Sequence, residues 1–248
     1  MKIDILSRVL FRDALLLIVN KPAGVPVHAG PKGGPNMEDY FDALRFGLPQ
    51  APNLAHRLDR DTSGCLVLGR HRKALSKLGR LFASGLIEKT YWAIVVGHPP
   101  AEAGRIDLPL RKLTPRSGWK MVIDTVAGQN AVTDYRVLGR SEGLTWMELM
   151  PRTGRTHQIR VHCQALGCPL LGDTVYGLPA TAATPTVPLQ LHARAISLPL
   201  YPNREAVRVT APVPPHMLQA LEACGFAGED QSTIENIKDV PHGKGQPG

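Results

Sequence analysis

The sequence predicts an α+β fold: a mixed, largely antiparallel sheet flanked by helices and loops, with a cleft at its centre. Strand-like and helix-like segments are interspersed, yet several strands follow one another with no helix between them, which disfavours a doubly wound parallel sheet. The 248 residues are 43% hydrophobic and 20% charged, the balance of a globular chain long enough to bury a sizeable core. No internal repeat and no linker divides the body, so residues 1–227 are expected to form one domain.

Residues 15–19 are a short apolar run ended by Asn20, Pro22 and Gly24, the pattern of a buried strand. Met37, Tyr40, Phe41 and Leu44 recur at helical spacing, with Asn36 placed to cap that helix and Gly47 to end it. Residues 65–68 read as a strand leaving the turn-rich segment 60–64. Ala74, Leu75, Leu78, Leu81 and Phe82 mark an amphipathic helix closed by Gly85. Residues 90–96, 132–138 and 145–150 are apolar and rich in aromatic or β-branched side chains, as strands require. Residues 157–166 place Ile159, Cys163 and Leu166 on one helical face, with Gly167 and Pro169 as stop signals. Strands follow at 189–197 and 206–210, then a helix at 215–224. Residues 112–118 and 178–188 are expected to be loops. Residues 228–248, polar and without periodicity, are expected to be a disordered tail.

Twenty-nine Lys and Arg face 21 Asp and Glu, a net charge of +8. The tail holds Glu229, Asp230, Glu235 and Asp239 against Lys238 and Lys244, so the body is more basic than the total shows. Such a surface attracts polyanions, and phosphate neutralisation is the usual basis of nucleic-acid affinity. The four cysteines, at 65, 163, 168 and 224, form no C-x-x-C pair, and His157 and His162 have no Glu between them. Neither a zinc site nor a disulfide framework is expected. No run reaches membrane-spanning length and the N-terminus lacks a signal peptide. A cytoplasmic protein is expected, with no metal and no obligate protein partner, acting as a monomer.

Two polar clusters stand out. His56-Arg57-Leu58-Asp59-Arg60-Asp61-Thr62-Ser63-Gly64 packs charges and a histidine directly before an apolar strand. Arg152-Thr153-Gly154-Arg155-Thr156-His157-Gln158-Ile159-Arg160 opens a helix. Arg155 and Arg160 lie five apart and therefore point in different directions. Arg155 is placed to meet a phosphate at the helix N-terminus while Arg160 faces another partner.

HRLDRDTSG, residues 56–64, resembles the signature of the RluA-type pseudouridine synthases, and RTGRTHQIRVH, residues 152–162, is similar to their second motif. Weaker matches keep the same order: Val19-Asn20-Lys21-Pro22-Ala23-Gly24, Lys89-Thr90-Tyr91, Leu171-Gly172-Asp173 and Leu189-Gln190-Leu191-His192-Ala193. The resemblance spans residues 10–215. It implies an isomerase that converts selected uridines of structured RNA, rRNA or tRNA, to pseudouridine in a catalytic cleft. It implies Asp59 as nucleophile, Arg160 as its arginine partner, Tyr91 as the active-site tyrosine and Arg57 as the arginine linked to base flipping. Arg60, Arg155 and His157 are assigned to RNA binding, and Asp61 to the signature's variable position. Many members carry a small RNA-binding domain ahead of the catalytic one; with a strand beginning by Leu15, none is expected here.

The chemistry suits these residue types. The N1–C1′ bond must break, the uracil must rotate, and its C5 must join C1′, with no net redox change, so no cofactor is implied. A carboxylate can attack C1′ or remove the C2′ proton to leave a glycal-like species; both routes stay open. A planar guanidinium fork would orient that carboxylate better than an ammonium. Tyr91 would stack on the uracil and help remove the C5 proton. Extrusion of the nucleotide costs about a few kcal/mol, and a long cation such as Arg57 would fill the vacated space. Two other readings compete. Asp61-Thr62-Ser63-Gly64 superficially resembles an aspartic-peptidase loop, but that loop needs Gly directly after the Thr and a second carboxylate. A non-catalytic RNA-binding or RNA-chaperone protein on the same fold is the remaining alternative, although Asp59, Tyr91 and Arg160 are all present.

Overall fold

A computed structural model describes residues 3–30, 33–114, 119–178 and 187–228. Its strands are β1 (Val9–Arg12), β2 (Leu16–Lys21), β3 (Asn53–Leu54), β4 (Ser63–Gly69), β5 (Glu88–Val96), β6 (Ala103–Asp107), β7 (Leu110–Leu113), β8 (Lys120–Ile123), β9 (Val132–Ser141), β10 (Leu144–Pro151), β11 (Leu191–Leu198) and β12 (Val207–Thr210). Its helices are α1 (Arg72–Ala83), α2 (Gln158–Ala165) and α3 (Pro215–Ala223). Among the described residues, ten strands form one sheet in the order β1-β2-β4-β11-β5-β10-β9-β6, with β3 on β4 and β12 on β11; β7 and β8 form a separate hairpin. The β4–β11 pair is parallel and the other described pairs are antiparallel. This is the mixed, largely antiparallel α+β sheet the sequence predicts.

The sheet is covered on both faces where its strands are apolar without interruption. Leu17 and Val19 of β2 enter one core with Leu66 and Leu68 of β4, whereas Leu16 and Ile18 enter the opposite core with Cys65 and Val67. Alternate side chains of a strand point to opposite faces, so a continuous apolar run fills two cores at once. Each such side chain contributes roughly 1.5–3 kcal/mol of burial. A second pair of cores flanks β5 and β10. Tyr91 of β5 packs against cores from both halves, so it sits where the halves meet.

Several local expectations need correction. The helix expected after Asn36 is present as the 3₁₀ helix Met37–Leu44, held by an Asn36–Asp39 capping box with Met37, Phe41 and Leu44 buried, and it ends at Leu44, short of Gly47. Residues 112 and 113, expected in a loop, end β7. The strands β1, β6, β7 and β8 were not expected at all; most are short, half-exposed and carry charges, which erases the alternation that marks a strand. The α2 helix begins at Gln158, because His157 caps it in the left-handed conformation, φ 52°. Most of the expected loop 178–188 and, from residue 229, the expected tail lie outside the described residues.

Candidate active site

The two polar clusters, one leading into β4 and the other running from the end of β10 into α2, meet where Asp59 faces Arg160 and His157. The turn before β4 closes with Thr62 N–H donating to the Asp59 carbonyl at 3.2 Å. Gly64 then takes φ 107°, and a Cβ there would collide with the Ala193 backbone. Only glycine combines that backbone with that approach. Lys21, fully buried, fastens the same turn: its Nζ donates to the carbonyls of Pro22 at 2.9 Å, Val25 at 2.7 Å and Arg60 at 2.8 Å. Burial pulls its pKa down to about 7, with Asp61 and Asp59 opposing. Three carbonyl acceptors need three N–H donors, so the geometry holds the ammonium form.

The second cluster is anchored by Gln158. Its Oε1 accepts from Thr153 Oγ1 at 2.7 Å and Arg155 N at 3.0 Å, while Nε2 donates to the Val132 carbonyl and Thr133 Oγ1, each at 3.0 Å. Two residues on, Arg160 points inward and is 6% exposed. Its Nε and Nη2 donate to the two carboxylate oxygens of Asp173, both at 2.8 Å. Its Nη1 faces Asp59 Oδ2 at 3.8 Å. The expected Asp59–Arg160 pairing is present as proximity, but the guanidinium fork belongs to Asp173. Burial alone would raise the Asp173 carboxyl, and the Arg160 hydrogen bonds and charge overcome it, so its pKa lies below the usual range. Asp173 appeared in the sequence only within a weak motif; a lone acid carries no signal of its partner.

Asp59, Arg57, Tyr91, Arg155, His157 and Arg160 line one cleft of about 630 Å³. The Asp59 side chain is 27% exposed. Burial, with the Asp59 charge behind it, pushes the Tyr91 phenol well above its usual pKa. Arg57 and Arg155 are exposed, and Arg155 Nε donates to the Asn130 carbonyl at 3.0 Å. Arg60 is not brought into the cleft lining: its Nε donates to the Gly24 carbonyl at 3.2 Å.

His157 does more than its sequence position suggests. Its Nε2 lies 3.9 Å from Asp59 Oδ2, beyond hydrogen-bond reach, and its Nδ1 is 2.9 Å from the Tyr176 hydroxyl. That hydroxyl accepts from Met121 N of β8 at 2.9 Å, and Trp119 stacks on the His157 ring at 4.9 Å. The β7–β8 hairpin therefore touches the neighbour of the aspartate. Burial lowers the His157 pKa and Asp59 opposes it. Trp119 and Tyr176 were missed because neither falls in a motif. No group of three or more His, Cys, Asp or Glu among the described residues is placed to hold a metal ion. No helix among them is long and apolar enough to cross a membrane.

Asp59 beside Arg160, in a cleft rimmed by arginines on a mixed sheet, makes a polar, basic site of the kind that suits a phosphate-bearing ligand. The family model described as RNA pseudouridylate synthase matches residues 15–165, and the chain belongs to that family of isomerases. It is 46% identical over 173 residues to an RNA pseudouridine synthase of Zymomonas mobilis, covering 69% of this chain and 78% of that one. It is 38% identical over 174 residues to the ribosomal large subunit pseudouridine synthase C of Buchnera aphidicola, covering 70% of this chain and 55% of that one. Human RNA Pseudouridylate Synthase Domain Containing 4 superposes with a TM-score of 0.75 at 29% identity, over 88% of this chain and 93% of that chain.

Proposed function

We propose that the body up to residue 227 isomerises uridine to pseudouridine in rRNA or tRNA, with Asp59 as the reacting carboxylate on an extruded nucleotide. The name of the Buchnera relative favours large-subunit rRNA. The observation that carries the reading is the seating of Asp59 beside the buried Arg160, at the wall of a cleft that also contains Tyr91. Arg160 is itself locked by Asp173, so its charge is held in place as the carboxylate's surroundings change. Tyr91, whose phenol lines the same cleft, suits stacking on the uracil and would help remove the C5 proton. Arg57, exposed at the rim, is long enough to fill the space a flipped nucleotide leaves. Arg155 and His157 would contact the RNA from the opposite wall, and Arg60 from outside the cleft. The reaction is an internal rearrangement and calls for no cofactor.

The test is pseudouridine formation by the purified chain in RNA from cells lacking its gene, without added metal or nucleotide. Conversion at discrete uridines supports the reading. RNA binding with no conversion would favour a non-catalytic RNA-binding protein on the same fold.

A further inference from the structure

Lys89 is a cleft residue without a function in the account so far. It lies on β5 two positions before Tyr91, and residues two apart on a strand share a face, so both project into the cleft that contains Asp59. Its Nζ donates to the Thr153 carbonyl at 3.2 Å, in the loop that leads into α2. An ammonium has three donors, and that bond uses one. Burial lowers the Lys89 pKa, and no carboxylate is among the causes that set it. Among the described residues no Asp or Glu pairs with it, in contrast to Arg105, Arg111, Arg136, Arg140 and Arg152, each of which has an acidic partner. Lys89 is half-buried, and a cation partly withdrawn from water without a counter-ion gains when a ligand supplies the charge. The loop beside it offers room: a Cβ on Gly154 would meet nothing closer than Lys89 Nζ, at 4.0 Å.

Resting on the proposed RNA substrate, we propose that Lys89 receives a backbone phosphate of the bound RNA inside the cleft, with the Thr153 carbonyl holding the ammonium on station. Its two remaining donors take two non-bridging oxygens of one phosphodiester. Rim cations such as Arg57 and Arg155 stay solvated and bind RNA loosely, whereas the half-buried Lys89 meets only a strand that has entered the cleft.

The experiment is equilibrium filter binding of bulk RNA from cells lacking the gene, over a series of salt concentrations, for wild type, Lys89→Met, Lys89→Gln and Lys89→Arg. One lost phosphate contact should make the log–log salt slope shallower by roughly 0.7–0.9 in the Met and Gln variants. Their affinity should fall about tenfold at low salt, as loss of a charged hydrogen-bonded contact does. Lys89→Arg should keep the wild-type slope. A wild-type slope in both neutral variants, or an Arg variant that falls as far as they do, overturns the proposal and leaves Lys89 a latch for the Thr153 loop. Binding is read without turnover, so failure of the wild type to form pseudouridine would sink the proposed function and not this contact.

Discussion

Arg160 grips Asp173 with two parallel hydrogen bonds of 2.8 Å and presents only Nη1 to Asp59, at 3.8 Å. The guanidinium is thus a fixed charge beside the carboxylate and not its clamp. The Asp173 side chain is wholly buried, and that of Arg160 nearly so. Removing one member leaves the other charged and desolvated.

Asp173→Asn should therefore destabilise the fold by about 3–5 kcal/mol, the usual cost of breaking a buried ion pair. Denaturant unfolding measures this. Arg160→Lys should fold but turn over at least about tenfold more slowly, because an ammonium cannot bond both Asp173 oxygens and still face Asp59. Wild-type turnover in that variant would place the partner of Asp59 elsewhere.

Gly64→Ala tests the parallel contact between β4 and β11. The added methyl meets the Ala193 backbone, and the φ of 107° is one that side-chain-bearing residues rarely adopt. A loss on the order of 3 kcal/mol or more is expected, since the β4–β11 pair must part to admit it. Thermal unfolding with little change in melting point would mean that the pair separates easily.

Acid should weaken the fold through two histidines, the buried His192 and the half-buried His56. His56 Nε2 accepts from Val67 N at 3.0 Å, and His192 Nδ1 lies 2.8 Å from Ser63 Oγ. Burial lowers each pKa to about 4. The unfolded chain then binds more protons than the folded one between about 4 and the unperturbed value near 6.5. Stability is complete above about 6.5 and is lost as pH falls through about 4, by up to about 3 kcal/mol for each histidine. Melting temperatures measured from neutral pH down to 4 should fall, and His56→Gln should flatten part of that slope. An unchanged slope in the variant would mean that His56 is already protonated in the fold.

Much of this was legible beforehand, for physical reasons that differ by element. The core strands β2 and β4 announced themselves because burial on both faces demands unbroken apolar runs. The α1 helix did so through one apolar stripe ending at Gly85. The hairpin β7–β8 stayed hidden, since Arg111, Lys112 and Lys120 interrupt its pattern. At the site, clustering of charges marked the segments 56–64 and 152–160, and the family resemblance singled out Asp59 and Arg160 within them. Asp173, Tyr176, Trp119 and Lys89 escaped assignment because their importance comes from contacts made by distant chain segments. The left-handed His157 was equally invisible, as no spacing rule marks a strained backbone.

The most direct test of the central claim compares RNA binding and turnover in Asp59→Asn. Its side chain keeps the size of the original but cannot attack C1′ or take a C2′ proton. The variant should bind bulk RNA with affinity and salt dependence close to wild type, because the phosphate contacts lie elsewhere, and should form no detectable pseudouridine. Turnover within about tenfold of wild type, far above what loss of a reacting carboxylate leaves, would contradict the assignment of Asp59.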